Sequence, residues 1–294
     1  MYKYIAKKKA NLPQIWKDKI FTLTEINDKS SLVEIDNEFD FKWIGLENNI
    51  YSFTILGDLI VYEVDDEYTL ARNLKSLEIV YTFDKPITVF IENCDENYYY
   101  HNTKKMGFIK FDYLKGEVNK VFLENRYNGL HKLLGDFLVL YKDKTISVHS
   151  KNDFSLLWQK NLSDITSYKD YDGSLKQGDI REIYSYNNTL IVLTQVFILR
   201  LHIETGEIIY SLRLPAGLMT LSIEGDKAYG CYGYHYMEID LEKGELINFV
   251  RLENALLNGQ EYNAIMNKAS YKDGFVFHGL RLEGGQYAVG AINT

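Results

Sequence analysis

The sequence is poor in proline and cysteine, and it has no long apolar run. Three prolines among 294 residues are too few for a proline-rich linker. The two cysteines, Cys94 and Cys231, form no Cys-x-x-Cys pair, and so few thiols are typical of a reducing compartment. No segment approaches the roughly 18 consecutive apolar residues of a membrane-spanning helix. The basic N-terminus lacks the apolar core of a signal peptide. We therefore expect a cytoplasmic protein without a membrane partner.

The sequence also lacks an excess of basic residues. Asp and Glu number 41 against 33 Lys and Arg, which gives a formal net charge of −8. Nucleic-acid binding needs a basic surface that displaces counterions from phosphates, so we expect no nucleic-acid partner. An acidic surface attracts basic proteins, although solubility alone also accounts for this charge.

Tyrosine is abundant, with 24 residues, and it suits β-strands because its ring packs while its hydroxyl reaches water. Aromatic residues recur at intervals of about 40 residues, with two longer intervals: 52 residues from Trp158 to Tyr210, and 49 from Phe249 through the C-terminus to Tyr4. The seven are Tyr4, Trp43, Tyr81, Phe122, Trp158, Tyr210 and Phe249. Around them lie short runs of alternating apolar residues, separated by turns rich in Gly, Asn and Asp. Strand-rich repeats of this length are typical of propeller blades.

The spacing predicts an all-β fold, a seven-bladed β-propeller with four-stranded antiparallel blades, in a single domain over residues 1–294. The last blade is one strand short, so we expect residues 2–6 to supply its outer strand, with Tyr4 in the aromatic place. Such closure would remove two exposed strand edges. Two segments also allow a helical interpretation. Residues 70–77 fit a strand position, whereas residues 253–267 are compatible with a helical turn.

Three segments resemble the repeat of quinoprotein-like (PQQ-like) propellers, whose consensus is Leu-Asp-x-x-Thr-Gly-x-x-x-Trp. They read KFDYLKGEVNKVF, LRLHIETGEIIYSL and MEIDLEKGELINF. The Asp is matched by Asp112 and Asp240 and replaced by His202, and the Trp is matched by Trp158 and Tyr210. The resemblance implies a propeller, on which enzymes and non-enzymatic scaffolds both occur. Family enzymes that hold the quinone carry a vicinal disulfide and calcium ligands, which the separated cysteines do not match. We therefore expect no cofactor.

No motif in the sequence identifies a catalytic centre. The six histidines are dispersed and form no His-Glu-x-x-His cluster, and the spacing of Cys231 and His235 supplies only two possible metal ligands. No nucleophile elbow or phosphate-binding loop occurs. We therefore assign no catalytic or metal-binding residue. A carboxylate pair for glycoside cleavage stays open, because acidic residues are plentiful.

Two intervals are longer than the repeat and contain inserts at about 161–180 and 253–263. In a propeller, the connections between blades lie on the same face as the turn between a blade's second and third strands. Tyrosine-rich loops on a rigid scaffold are typical of binding surfaces. We therefore predict a binding face that consists of Tyr168, Asp170, Tyr171, Asp172, Tyr232, Tyr234, His235, Tyr262, Asp65, Asp66 and Glu67.

The sequence favours a non-catalytic scaffold that binds a protein partner, which the net charge suggests is basic. A specific version is a cytoplasmic immunity or inhibitor protein for a bacterial toxin. Two alternatives stay open: a propeller enzyme, either a lyase or a hydrolase, and a glycan or small-molecule binder. Both alternatives would act at the central channel.

Overall fold

A computed structural model describes residues 14–17, 19–26, 29–35, 41–43, 49–87, 94–95, 97–103, 106–123, 127–251, 254–257, 260–282 and 287–294. These residues form antiparallel sheets and no helix. The all-β prediction is therefore confirmed over this part of the chain, and no helix within it could cross a membrane. The chain forms two compact units, Met1–Asn128 and Gly129–Thr294. Tyr4 and residues 2–6 lie outside the described residues.

The first unit contains three sheets. Sheet A consists of β1 (Gln14–Trp16), β2 (Lys19–Ile26), β3 (Lys29–Ile35) and β4 (Phe41–Trp43). Sheet B consists of β5 (Ile50–Leu56), β6 (Leu59–Val64), β7 (Tyr68–Asn73) and β8 (Ile79–Phe83). Sheet C consists of β9 (Tyr98–Thr103), β10 (Gly107–Asp112) and β11 (Glu117–Leu123).

The second unit contains four further sheets and a small hairpin. Sheet D consists of β12 (Leu130–Leu134), β13 (Phe137–Lys142), β14 (Thr145–Ser150) and β15 (Leu156–Asn161). The insert hairpin consists of β16 (Ser167–Lys169) and β17 (Leu175–Gln177). Sheet E consists of β18 (Ile180–Tyr186), β19 (Thr189–Thr194), β20 (Phe197–His202) and β21 (Ile208–Arg213). Sheet F consists of β22 (Ser222–Glu224), β23 (Lys227–Tyr232), β24 (His235–Asp240) and β25 (Glu245–Arg251). Sheet G consists of β26 (Asn254–Leu257), β27 (Gln260–Lys272), β28 (Phe275–Leu282) and β29 (Tyr287–Asn293).

The middle strands of these sheets carry the core. Every residue of β6 and β19 is buried, on both faces of the strand. Their sequences, LIVYEV and TLIVLT, are nearly continuous apolar runs, as expected for strands covered on both sides. The outer strand β21 instead alternates between half-buried and exposed residues, because only one of its faces packs.

A five-residue turn recurs between the last two strands of each of sheets B to F. The five described turns are Asn73–Leu77, Asp112–Gly116, Ser150–Phe154, His202–Gly206 and Asp240–Gly244. In each, the fifth residue has a positive φ, and its backbone N–H donates to the first residue's carbonyl at 2.8–2.9 Å. The Asp of the family motif serves this turn: Asp240 Oδ1 accepts the N–H groups of Glu242 and Lys243, at 3.0 and 2.9 Å.

Three of the spaced aromatic residues dock on the glycines of these turns. A Cβ added to Gly206 would lie 2.7 Å from the Trp158 ring. The Trp158 indole N–H also donates to the Ile203 carbonyl at 2.7 Å. Tyr210 covers Gly244 in the same way and donates its hydroxyl proton to the Leu241 carbonyl at 2.9 Å. Each contact joins the outer strand of one sheet to the next sheet.

In the first unit, the Tyr81 ring covers Gly116 in a similar way, since it occupies the space of a Cβ added to that glycine. In two of the five turns, the fifth residue is not glycine. It is Leu77 in sheet B and Phe154 in sheet D, and both have a positive φ. Both side chains pack, Phe154 as a buried residue and Leu77 against the core of its unit. Burial therefore offsets the backbone strain of a side chain in this conformation.

Phe249 departs from the predicted ring of aromatics. The outer strands of sheets B, D, E and F share a one-residue register shift. The last residue pair before the shift is Ala71–Tyr81 in sheet B, Val148–Trp158 in sheet D, Arg200–Tyr210 in sheet E and Glu238–Asn248 in sheet F. The equivalent residue of sheet F is thus Asn248, and Phe249 is one position out of register. A slip of one residue turns a side chain to the other face of the strand. Phe249 accordingly stacks on His235 and stays partly exposed.

The helical interpretation of residues 253–267 is wrong for the described part of that segment, which forms β26 and β27. β26 pairs with the first four residues of β27, and the rest of β27 pairs with β28. Contacts with sheet F favour the strand. Met266 and Gly233 exchange backbone hydrogen bonds of 2.7 and 3.1 Å, and Tyr271 stacks on Tyr229. Residues 70–77 form the end of β7 and its turn, so the strand interpretation is confirmed there.

A test of the docking contact compares two glycines with similar backbones. Gly225 has a positive φ but no atom within 4 Å of an added Cβ, so Gly225→Ala is expected to cost about 1–2 kcal/mol of backbone strain. Gly206→Ala carries the same strain and also displaces the Trp158 ring, so it should cost more. Trp158→Ala should lower the free energy of unfolding by about 3–5 kcal/mol. Denaturant unfolding measures all three values.

The same measurement in the Trp158→Ala background distinguishes two contributions to the cost of Gly206→Ala, which are displacement of the Trp158 ring and backbone strain. Gly206→Ala should then cost no more than Gly225→Ala, because the ring that obstructs the new methyl group is absent. Equal costs of Gly206→Ala in the two backgrounds would contradict the docking role of Trp158.

Candidate functional site

The longest interval between aromatics contains the insert hairpin, β16 and β17, which belongs to neither sheet D nor sheet E. Two backbone hydrogen bonds stabilise its turn. The Asp170 N–H donates to the Ser174 carbonyl, and the Gly173 N–H donates to the Asp170 carbonyl, both at 2.9 Å. Gly173 has a φ of 80°, which glycine adopts without steric cost. The sequence DYDGS therefore specifies a tight turn.

Tyr168 fixes the base of the hairpin on sheet E. Its ring is buried and meets Phe197 edge to face, and its hydroxyl donates to Gln195 Oε1 at 3.4 Å. Arg213, at the end of β21, donates to the Lys169 carbonyl at 3.4 Å. The buried Thr166 hydroxyl donates to the carbonyls of Leu162 and Gly178. Tyr168 was predicted as part of a binding face. The structure instead buries its ring, which anchors the hairpin on sheet E.

The two predicted aspartates of the hairpin stabilise its turn. Asp170 forms an ion pair with Lys176, and this hydrogen bond lowers the pKa of the Asp170 carboxyl below its ordinary value. Asp172 accepts the Ser174 hydroxyl at 2.6 Å and the Ser174 N–H at 2.9 Å, and the first of these lowers the pKa of Asp172. Both carboxylates are therefore ionised at neutral pH and engaged within the turn.

Tyr171 and Leu175 are the large apolar side chains that the hairpin presents to solvent. Tyr171, at the tip, is 97% exposed, and Leu175 on β17 is 72% exposed. Residue pairing explains the difference from Tyr168. Tyr168 lies opposite Lys176 on the face that packs on sheet E, whereas Leu175 lies opposite Lys169 on the outer face. A rigid hairpin thus exposes two large apolar side chains, which is typical of contact surfaces.

The predicted turn of sheet F presents two more tyrosines. Tyr232 and Tyr234 are 44% and 39% exposed, on either side of Gly233. The exchanged hydrogen bonds between Gly233 and Met266 hold this turn against sheet G. His235 stacks on Phe249 with ring centroids 5.3 Å apart. Burial, and then the nearby Arg251 charge, lower the pKa of His235, so the imidazole is neutral at neutral pH.

Register places the insert hairpin and this turn at the same end of sheets E and F. β21 ends at Arg213, opposite Phe197 and next to the β19–β20 turn, and its connection to β22 passes between the two sites. Within it, a Cβ on Gly217 would lie 3.1 Å from the Gln195 carbonyl oxygen, and Leu218 packs on Gly230 of β23. These contacts connect the insert hairpin and the sheet F turn through the β21–β22 connection. No hydrogen bond or ring contact between described residues joins Tyr171 to either tyrosine of the sheet F turn.

The remaining predicted residues belong to other turns and strands. Asp65 and Asp66 form the β6–β7 turn of the first unit, both with positive φ, and the Glu67 N–H donates to the Val64 carbonyl at 3.0 Å. They shape a tight hairpin of their own. Tyr262 lies on β27 opposite Ala255, and its side chain is outside the described residues.

A cleft of about 570 Å³ was not predicted. Its lining residues are Asp136, Phe137, Asn188, His202, Ile203, Glu204, Thr205 and Glu207. It lies at the opposite end of sheets D and E from the insert hairpin, beside the turn that Trp158 covers. Its carboxylates could bind an amine or a guanidinium group. The sequence pointed to this cleft only through His202, which replaces the Asp of the PQQ-like motif.

Some other polar groups of the second unit are hydrogen-bonded to each other. Glu182, on the inner strand β18, accepts Lys132 Nζ at 2.8 Å and the Tyr141 hydroxyl at 3.3 Å. Burial raises the pKa of the Cys231 thiol to about 12, so it is not a thiolate at neutral pH. In the part of the chain that the structure describes, no group of three or more His, Cys, Asp or Glu residues is placed to hold a metal ion.

Solved structures with similar folds cover almost the whole chain. The computationally designed protein Ika8 aligns with 97% of this chain and 84% of its own, with a TM-score of 0.64 and 12% identity. BamB from Moraxella catarrhalis aligns with 98% of this chain and 91% of its own, with a TM-score of 0.59 and 11% identity. The CNH domain of AfRom2 aligns with 96% of this chain and 93% of its own, with a TM-score of 0.52 and 10% identity.

These likenesses concern the fold alone, because the identities are so low. No protein-family model matches the chain, and no curated protein matches its sequence. BamB is a PQQ-like β-propeller, so the likeness supports a fold of the propeller type for this chain.

Proposed function

We propose that the protein is a non-catalytic scaffold that binds another protein through the insert hairpin. The observation that carries this proposal is Tyr171, a tyrosine that is 97% exposed on a hairpin whose base is fixed to sheet E. The fold does not need this ring, since it packs on nothing. The ion pair and the turn hydrogen bonds beside it nevertheless hold its backbone in one conformation.

Rigidity matters because a binding site that is already ordered loses little conformational entropy when the partner arrives. Tyrosine adds contact area with only two rotatable side-chain bonds, and it is enriched among residues that dominate binding energy. Leu175 lies on the same hairpin, and Tyr232 and Tyr234 are exposed at the same end of the neighbouring sheet. Together they supply an apolar centre with charged groups around it, which is the usual anatomy of a protein interface.

The partner that fits this surface is a basic protein. The chain has a net charge of −8, which would speed association with a positively charged surface. A cytoplasmic immunity or inhibitor protein that binds a bacterial toxin is one specific form of this proposal. Its support is the acidic charge and the tyrosine-bearing hairpin.

The proposal is tested by selecting a phage-displayed library of random peptides on the immobilised protein. Peptides selected on the wild type should carry an excess of Lys and Arg. Alanine replacement of Tyr171, Tyr232 and Tyr234 should cost roughly 2 kcal/mol or more of binding energy, as expected for residues that dominate an interface. Isothermal titration of the selected peptides measures this loss.

Tyr98→Ala serves as a matched control, because this tyrosine lies in the other unit, on β9. The selected peptides should bind that variant like the wild type. Unfolding midpoints must stay unchanged in the Tyr171 variant, since its side chain packs on nothing. Selected peptides that bind the triple variant with full affinity would defeat the proposal.

We further propose that seven of the eight sheets are blades of a quinoprotein-like propeller. Sheets B, D, E and F each have four strands in consecutive order, which supports equivalent blades. In sheet G, the 264–272 part of β27 takes the inner place, and β28 and β29 follow it. Among the described residues, β29 pairs only with β28. Residues 2–6 would therefore pair with the other edge of β29 as the fourth strand of this blade.

Deleting residues 1–8 should therefore lower the melting temperature sharply and promote aggregation, because β29 would become an exposed sheet edge. Differential scanning calorimetry and light scattering measure the two effects. Alanine replacement of Lys7, Lys8 and Lys9, which leaves residues 2–6 intact, is the control and should melt like the wild type. An unaltered melting curve after the deletion would rule out this closure.

A further inference from the structure

One edge of the insert hairpin has backbone groups that pair with nothing in the described chain. The Gly178 N–H donates to the Thr166 carbonyl, and the Asp170 N–H donates to the Ser174 carbonyl. In an antiparallel hairpin, hydrogen-bonded pairs alternate with pairs that are not bonded. Tyr168 and Lys176 are therefore a bonded pair. It follows that the N–H and C=O groups of Leu175 and Gln177 point away from β16.

The two edges of the hairpin differ. On the β16 edge, Arg213 donates to the outward carbonyl of Lys169. On the β17 edge, no described residue meets the outward groups of Leu175 and Gln177. All three residues of β17 are exposed. An uncovered strand edge of this kind is a template for another strand.

We propose that an extended, basic segment of the protein partner adds to β17 as a third strand. This inference rests on the proposed function, because it specifies how the hairpin binds. Backbone hydrogen bonds to Leu175 and Gln177 would align the added strand. Its apolar side chains would contact Leu175 and the Tyr171 ring on the outer side of the hairpin. Strand addition is an established mode of peptide recognition.

Charge complementarity favours a basic segment. The insert between sheets D and E carries more acidic than basic residues. The acidic residues are Asp164, Asp170, Asp172 and Asp179, and the basic residues are Lys169 and Lys176. Lys176 is already paired with Asp170, and Lys144 with Asp179, whereas Asp172 has only turn hydrogen bonds. With four Asp and two Lys, the insert has a net charge of −2, so a basic segment would meet more opposite than like charge beside β17.

The test uses an end-blocked, fluorescein-labelled peptide in which arginine alternates with valine over about eight residues, the length of an ordinary strand. Fluorescence anisotropy measures its affinity for the full chain. Hydrogen exchange followed by nuclear magnetic resonance reports on the amides of Leu175 and Gln177. The peptide should bind and slow the exchange of both amides at least tenfold. A glutamate–valine peptide of the same length should not bind.

Two substitutions of Gln177 distinguish the contribution of its backbone N–H to peptide binding from that of its side chain. Gln177→Pro removes an outward N–H that is not bonded to β16, and its ring obstructs the edge, while proline is tolerated on edge strands. It should weaken binding of the arginine–valine peptide at least tenfold. Gln177→Ala keeps the N–H and should bind like the wild type. Retained slow exchange of the Tyr168 amide in both variants shows that the hairpin is intact.

The outcomes distinguish this inference from the proposed function. Strand addition is overturned if the arginine–valine peptide does not bind at millimolar concentration, or if it binds Gln177→Pro as tightly as the wild type. Library peptides that still depend on Tyr171 would then leave the proposed function standing, with a contact made through side chains alone. If the library peptides also ignore Tyr171, the proposed function fails together with the inference.

Discussion

The contact between an aromatic ring and a glycine of the next sheet is the constraint on which the second unit depends. A four-stranded sheet is apolar on both faces in its middle strands and must be covered on both sides. Trp158 and Tyr210 each fix one sheet to the next by covering a turn and donating a hydrogen bond to one of its carbonyls. Glycine is needed there for two reasons, since the backbone has a positive φ and the ring occupies the space of a Cβ.

A buried charge reinforces the same junction between sheets E and F. Arg200, opposite Tyr210, donates to the Glu242 carboxylate at 2.9 Å and to the Leu241 carbonyl at 3.3 Å, and its guanidinium lies over the Tyr186 ring. The guanidinium thus adds hydrogen bonds and charge to the turn that Tyr210 covers. Burial of this charge is tolerable because its N–H groups meet acceptors on the turn, which a smaller cation could not span.

Part of the fold follows from the spacing of aromatics, because in sheets B, D and E one large ring docks on a turn of the next sheet. Tyr81, Trp158 and Tyr210 were therefore found from intervals alone. Phe249 was misplaced because the register shift of the outer strand leaves no mark in the sequence, and a single residue decides the face. The strands at 254–272 were missed for another reason. Their order depends on hydrogen bonds and ring stacking with sheet F, which local sequence does not encode.

For the candidate site, sequence predicted the location of the hairpin and the turn but not the role of each side chain. Topology brings both elements to one end of the sheets, whereas residue pairing within the hairpin buries Tyr168 and exposes Leu175. An isolated two-stranded hairpin is marginal in water. Here the packing of Tyr168 on Phe197 and the bond from Arg213 stabilise its base. The tip can therefore be ordered without packing of its own, which leaves Tyr171 and the β17 edge available to a partner. Under the proposed function, changes at the tip would alter binding while the sheets below stay as they are.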